Sequence, residues 1–464
     1  MTTICKVHYK ILLFALLFSF CNSPSVYCRE YKNYFPSFQI IRNNVVFWEK
    51  IFSEISENTA VLHDREDLSI IYETVPLLDS KLPGAQQINT KRLESIRKKY
   101  ISTLTKLGTG APPSTAAEKR ISAMFSPPQI TTKFLNAAQG IRIQTGLKER
   151  FMDGVIQSGA YMKEMKKIFR SYNLPEDLVY IPHVESSFNI HANSKYGAVG
   201  AWQFTRGTGM EYMTINSLID ERRDLLLATD AAARYLKRNL ENLGTWPLAI
   251  TAYNYGHAGM KRALQQEGTY ENIFRNYRQG HFKFASRNFY SEFLAARNVA
   301  KKLEQIPSIK RAVAFQRFSV GLPGYAHIDD ITEHFQITRD DLRKLNPSLL
   351  PPIWQGERYL PRGFLLQLPY SQKIVRLANT IPSDIFKDQQ KQSLFYKVKK
   401  GDTAGGIAQQ FGITLKDLSK ANNLKSNALV YIGQNLRIPE SAPRAKRAKT
   451  SARQPPTKTI AAKT

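Results

Sequence analysis

Cysteine is nearly missing from this 464-residue chain: Cys5, Cys21 and Cys28 are the only three, and the following 436 positions have none. That excludes a disulfide framework and any cysteine-held metal site over the bulk of the sequence. Acid is scarce too, with 38 Asp and Glu against 66 Lys and Arg and a net charge of +28. A surface of that sign collects polyanions of every kind, from nucleic acid to anionic envelope polymers and membranes. No nucleic-acid motif accompanies the charge. After the N-terminus no apolar run approaches the ~20 residues needed to span a bilayer, so the mature chain is expected to be soluble. The eight histidines are dispersed without paired spacing, and the sequence calls for no metal and no cofactor.

What is present begins with an export signal. Lys6 and Lys10 precede the apolar run Ile11 to Phe20, with small and polar residues following up to Arg29, the pattern of a secretory signal peptide over residues 1–28. Cys21 and Cys28 are candidates for lipidation, but the bulky Phe20 and Tyr27 before them favour ordinary cleavage. The remaining length exceeds one core, so several folded units are expected. Residues 29–139 read as a mainly helical region packing on a later domain, with the clusters Val45-Val46-Phe47-Trp48 and Leu68-Ser69-Ile70-Ile71-Tyr72 as helical stretches. Between Phe151 and Phe169 apolar residues recur at three- and four-residue steps, predicting one amphipathic helix. Leu174-Pro175-Glu176-Asp177 opens another, with Pro in the first turn and two acids at the positive end of the dipole. Leu178, Ile181, Val184 and Glu185 share its inward face, and Pro182 kinks it beside Glu185. A long helix is predicted from about Leu225 to Leu243, closed by Gly244, and another after Pro247. Residues 140–310 therefore form one all-helical domain.

Beyond residue 310 two segments share an ordered pattern. The second has Tyr396-Lys397-Val398, Gly401-Asp402-Thr403, Ile407-Ala408, Phe411-Gly412-Ile413, Leu418, Asn422, Gly433-Gln434 and Leu436-Arg437-Ile438-Pro439. The first has Ile331, His334-Phe335-Gln336-Ile337-Thr338, Leu342, Asn346, Pro361-Arg362-Gly363 and Leu366-Gln367-Leu368-Pro369, without the Gly-Asp-Thr turn. Each resembles a LysM module, a small α+β strand-helix-helix-strand glycan binder: a degenerate one over 311–370, a linker over 371–393, and a sharp match over 394–440. Residues 441–464 hold seven Lys or Arg and no acid or aromatic residue, a basic tail unable to bury enough apolar surface to fold. It either contacts the envelope or membrane electrostatically or merely solubilises the chain.

A carboxyl that protonates a leaving group has to hold its proton near neutral pH, which partial burial on an apolar helix face achieves. Glu185 is so placed, although a Glu at a helix end is more commonly solvated. The surrounding series decides between the two: Glu185-Ser186-Ser187-Phe188-Asn189, then Ser194 with Gly197-Ala198-Val199-Gly200-Ala201-Trp202-Gln203-Phe204, then Ala252-Tyr253-Asn254-Tyr255-Gly256. In this order the three pieces resemble a lysozyme-like transglycosylase SLT domain. With C-terminal LysM repeats, the arrangement resembles the membrane-bound lytic murein transglycosylase D type over most of residues 40–440. Asp220-Glu221-Arg222-Arg223-Asp224 fits the same branch as a structural charge cluster. The expected architecture is multidomain, a mainly α lysozyme-like catalytic domain followed by small α+β modules.

That resemblance implies roles residue by residue. Glu185 protonates the glycosidic oxygen between N-acetylmuramic acid and N-acetylglucosamine of peptidoglycan, then as a carboxylate takes the proton of the muramic C6 hydroxyl, leaving a 1,6-anhydromuramic end. Ser186, Gln203, Tyr253 and Asn254 bind and position the sugars. Trp202 and Phe204 are either core or sugar platforms. The family's late Glu-Thr-x-x-Tyr stretch is replaced here by Ala285-Ser286-Arg287-Asn288-Phe289-Tyr290, which leaves Tyr290, one residue out of register, as a substrate-binding candidate. No second catalytic carboxylate is evident, unlike ordinary glycosidases, so one carboxylate assisted by the substrate is expected. The modules would bind glycan containing N-acetylglucosamine, and the protein would work in the periplasm or cell envelope, in contact with the outer membrane or free of it. Three rivals stay open: a goose-type lysozyme hydrolysing the same bond, a non-catalytic peptidoglycan binder, and a basic nucleic-acid binder, the last resting on charge alone.

Overall fold

The computed structural model of the protein describes residues 34–127, 130–392 and 394–439. The signal peptide of 1–28 and the basic tail of 441–464 lie outside the described residues. Helices dominate, and they group around one large apolar core with smaller cores beside it.

Aromatic residues spaced along the helix Arg42–Ser53 turn Phe47, Trp48, Ile51 and Phe52 inward, and Phe52 stacks on Phe151 with ring centres 4.8 Å apart. This helix lies along the long helix Phe284–Glu304, so the N-terminal region and the end of the helical domain share a core. The cluster Leu68–Tyr72 is not helical. Tyr72 belongs to the strand Ile71–Pro76, which pairs antiparallel with Thr59–Asp64; the latter also pairs with Ile141–Thr145, giving the order 71–76, 59–64, 141–145. The β-branched and aromatic run suits a half-buried pleated surface. The basic helix Ala85–Gly108 covers that sheet through Tyr100, Leu104 and Leu107.

The domain expected to be wholly helical therefore begins on a strand. Its first long helix is two, Lys148–Ser158 and Met162–Ser171, broken at Gly159-Ala160-Tyr161. Gly154 on the first meets the turn after Glu185 so closely that a Cβ would stand 2.3 Å from the Ser187 carbonyl oxygen. Glu176–Tyr180 is a 3-10 turn that hands over to the helix Ile181–Ser186 at Pro182, which lacks the N–H a continuous helix would need there. Leu225–Leu243 has the predicted bounds, with the Asp224 carboxylate accepting from the Leu226 and Leu227 amides and Gly244 left-handed at its end. Trp246–Tyr255, His257–Glu267 and Tyr270–Asn276 follow, and Phe284–Glu304 closes the domain.

Both C-terminal segments are strand-helix-helix-strand units. In the first, Arg317–Gly321 pairs antiparallel with Leu365–Pro369 around Ile328–Phe335 and Arg339–Leu345; in the second, Leu394–Lys397 pairs with Asn435–Ile438 around Ala404–Gln410 and Leu415–Ala421. One asparagine does the same work in each. Asn346 donates to the Leu342 and Gln367 carbonyls and accepts from the Gln367 amide at 2.8–2.9 Å. Asn422 donates to the Leu418 and Arg437 carbonyls and accepts from the Arg437 amide at 2.7–2.9 Å. The same bracket between the second helix and the last strand thus recurs in both segments. The stretch 371–393 is more than a linker. Its helix Gln372–Ala378 buries Ile374 in the first repeat's core, and Phe386–Lys387 pairs with Tyr325–Ala326.

Candidate active site

Glu185 stands on the last turn of the short helix Ile181–Ser186, where Ser187 and Phe188 both take left-handed backbone angles, φ +52° and +60°. Two such residues in succession, neither of them glycine, are uncommon, and they end the helix abruptly so that Phe188 plugs the core while Glu185 stays only partly buried. The carboxyl is only partly buried and, among the described residues, has no hydrogen bond or ion pair. Loss of solvation pushes its pKa up to about 8 from 4.5. It is therefore protonated at neutral pH, able to give a proton and, once ionised, to take one back.

Its surroundings are pinned by three successive carbonyls of the loop Gly200-Ala201-Trp202. Gln203 donates to the Gly200 oxygen at 2.7 Å, Ser186 to the Ala201 oxygen at 3.0 Å and Tyr253 to the Trp202 oxygen at 2.8 Å. The three sequence motifs thus close on one loop, and the side chains expected to bind substrate first hold the frame. Glycine at 200 is required, since φ is +77° and a Cβ would lie 2.2 Å from the Arg222 carbonyl oxygen. Beneath the loop, Arg222 forks onto Asp220 with two bonds of 2.8 Å and donates to the Gly197 and Phe204 carbonyls. This is the structural role read for that charge cluster.

Tyr253 is near enough to Glu185 for a Glu185 carboxylate to raise its pKa, which burial already lifts well above 10. Asn254 is exposed, its side-chain oxygen accepting from Ser286 at 2.7 Å. Ser186, Gln203 and Tyr253 meet on this loop beside Glu185, while Asn254, next in sequence to Tyr253, is held by Ser286 instead. Tyr290 does not join them: it is fully buried, donates to the Pro36 carbonyl at 2.9 Å and meets Tyr270 edge-on. One register step on the Phe284–Glu304 helix turns it about 100° away, and Phe289, stacked on Tyr253 at 6.4 Å, holds the position it would have needed. Trp202 and Phe204 belong to the core as well, Trp202 donating to the Thr229 hydroxyl at 2.8 Å.

Two groups escaped the sequence reading. Glu292 on the Phe284–Glu304 helix is partly buried and its pKa is likewise raised to about 8, by burial and then by the charge of Glu185. Arg142 on the strand Ile141–Thr145 lies 4.0 Å over the Phe284 ring and opposes the Glu292 shift. A lone Glu in an amphipathic helix and an Arg in a strand carry no local motif that sequence reasoning could have found.

Residues 164–274 match the Transglycosylase SLT domain model and residues 396–439 the LysM domain model. The chain is 25% identical over 301 residues to the membrane-bound lytic murein transglycosylase D of Escherichia coli strain K12, an alignment covering 63% of this chain and 66% of that protein. It is 51% identical over 47 residues, a tenth of each chain, to a probable N-acetylmuramidase of Lactococcus lactis subsp. cremoris. A putative tributyltin chloride resistance protein of Alteromonas sp. strain M-1 is 35% identical over 96 residues, 20% of this chain and 45% of that protein. The chain carries a transglycosylase SLT domain and a C-terminal LysM domain.

Proposed function

We propose that this protein is a peptidoglycan lytic transglycosylase acting through Glu185. The observation that carries the reading is an unpaired, partly buried carboxyl, protonated at neutral pH, at the loop where all three motif segments meet. The Glu185 proton passes to the oxygen bridging N-acetylmuramic acid to N-acetylglucosamine, and the bond from that oxygen to the muramic C1 breaks. The C6 oxygen then bonds to C1 while its proton returns to the Glu185 carboxylate, so no water is consumed and the acid is regenerated. The C-terminal domain would hold glycan strands and raise their concentration at the cleft.

Other features are consistent with work outside the cytoplasm: the signal-like N-terminus, and the lack among the described residues of any helix long and apolar enough to cross a membrane. Purified sacculi digested with the secreted protein, analysed by mass spectrometry beside a Glu185→Gln variant, test the reading. Anhydromuropeptides from the wild type and none from the variant are expected. Reducing-end muropeptides would make the enzyme a hydrolase, and no product from either would leave a binding protein.

A further inference from the structure

Between the SLT domain and the two C-terminal units lies a cavity of about 1390 Å³. It begins beside the turn that carries Glu185. Phe188, at the end of the Glu185 helix, packs on Tyr161 with ring centres 6.5 Å apart, and Tyr161 lines the cavity. His191 lines it too, and the next residue, Ala192, accepts from the Gly200 amide of the active-site loop at 2.9 Å. Across from these, the first repeat contributes Arg317, Arg343 and Trp354, and the last module contributes Lys420. The walls are fastened to one another. The Asp220 amide donates to the Ser348 carbonyl at 2.8 Å, the Leu350 amide to the Leu218 carbonyl at 2.9 Å, and Arg437 of the last module pairs with Glu357 of the first repeat at 2.5 Å.

Six Lys or Arg and four acids line this space, and every acid is already engaged. Asp224 caps the helix Leu225–Leu243, Asp417 accepts from the Thr414 hydroxyl, Asp340 pairs with Arg343 and Glu357 with Arg437. Arg317 and Lys420, by contrast, make no side-chain hydrogen bond or ion pair among the described residues. Arg317 stands close enough to the Tyr161 phenol to oppose the upward shift that burial gives it. The Arg343 guanidinium lies 5.0 Å over the Trp354 ring, a contact that orients its planar fork. The volume exceeds the roughly 300–1,000 Å³ of sites for small ligands, and suits a length of polymer.

We propose that this cavity binds the carboxylate-bearing arms of the peptidoglycan strand whose sugars occupy the Glu185 loop, with Arg317, Arg343 and Lys420 as their contacts. The N-acetylated sugar rings are neutral and offer these cations no partner. The negative charge of the strand hangs from the muramic lactyl ether, as the carboxyl groups of its peptide or, where the peptide is missing, as the lactyl carboxylate itself. An extended peptide of five residues reaches about 17 Å, enough to leave the loop and enter a cavity that begins beside it. Carboxylates also match the guanidinium fork with two parallel hydrogen bonds. This inference rests on the reading of the protein as a peptidoglycan transglycosylase.

The test is binding, by titration calorimetry, to full-length Glu185→Gln, so that turnover does not interfere. The probes are soluble glycan strands carrying their peptides, the same strands with their carboxyls amidated, strands stripped of peptide that keep the lactyl carboxylate, and chitin oligosaccharides. Adding Arg317→Gln and Lys420→Gln together is expected to weaken binding of peptide-bearing strands about tenfold, and to leave amidated strands and chitin oligosaccharides bound as before. Lys91→Gln, at an exposed position outside the cavity, changes none of the four. Loss confined to peptide-bearing strands assigns the peptide carboxyls to the cavity; loss shared by stripped strands assigns the lactyl carboxylate. An unchanged affinity for peptide-bearing strands, an equal loss on chitin oligosaccharides, or an equal loss with Lys91→Gln overturns the proposal. No binding of any probe by the Glu185→Gln parent, or no anhydromuropeptides from the unmodified protein, overturns the transglycosylase reading itself and is read independently of the variants.

Discussion

Replacing Glu185 by Gln should abolish activity and at the same time stabilise the protein, by an amount that depends on pH in a calculable way. In the folded chain the carboxyl titrates at about 8; in the unfolded chain it returns to 4.5. Because the folded value is raised, the usual sign for a carboxylate is reversed. Below pH 4.5 both states are protonated and the site carries no penalty; between 4.5 and 8 only the unfolded state sheds its proton, so stability falls steadily with rising pH. Three and a half pH units at about 1.36 kcal/mol each give a ceiling of about 5 kcal/mol. Partial solvent access halves that to about 2–3 kcal/mol. Gln cannot ionise, so its own packing defect is the same at every pH and cancels when two pH values are compared. The assay is thermal or urea unfolding followed by the fluorescence of the buried Trp202 and Trp246 at pH 4 and pH 8. The wild type should lose about 4–12 °C more than the variant between the two, using about 2–4 °C per kcal/mol for a domain of this size. Equal pH dependence in the two proteins would refute the reasoning, for it would mean that Glu185 is as well solvated folded as unfolded.

Tyr253→Phe removes the bond to the Trp202 carbonyl and leaves that acceptor under-satisfied; a loss of about 1–2 kcal/mol is expected, with a larger fall in kcat than change in KM, measured by muropeptide release. Asn422→Ala breaks the three-bond bracket of the last module. At about 1 kcal/mol for each bond the small unit, with a core of a few side chains, should unfold, and sacculus pull-down should weaken while cleavage of soluble glycan persists.

The grouping of the candidate site was legible in part, because local motifs carry it: Ser186, Gln203 and Tyr253 bond to successive carbonyls of one loop beside Glu185, and Asp220 and Arg222 form the charge cluster read for them. The roles of these side chains toward substrate belong to the proposed function. The end of the helix Leu225–Leu243 was readable from Gly244; Asp224, read only as part of the charge cluster, caps its start. Failures came where tertiary contacts overrule local preference. Leu68–Tyr72 has no period that separates helix from strand, and pairing with Thr59–Asp64 settles it. The 151–169 stretch keeps helical spacing across a break, because Met162 and Met165 return to the same core after the turn at Gly159. Tyr290 was chosen by residue type; one step of register put it in the core. Glu292 was invisible because a lone Glu in an amphipathic helix carries no local motif.

The boundary between catalytic and accessory parts shifts for the same reason. The first repeat does not hang from the SLT domain by a tether. Ile219, beside the Asp220 cluster, is buried in that repeat's core, the Asp220 amide donates to the Ser348 carbonyl and the Leu350 amide to the Leu218 carbonyl at 2.8–2.9 Å. Asp220 in turn holds Arg222, which holds the Gly197 and Phe204 carbonyls that frame the active-site loop. Removing residues 313–464 would expose Ile219, worth about 1.5–3 kcal/mol of burial, and strip two backbone bonds from the support of that loop. Removing only 394–464 gives up the Arg437–Glu357 ion pair at 2.5 Å and leaves the chain of supports intact. The shorter deletion should therefore keep the wild-type rate on soluble glycan, while the longer one lowers both rate and thermal midpoint. Equal rates in the two truncated proteins would show that the first repeat serves binding alone and that the loop stands without it.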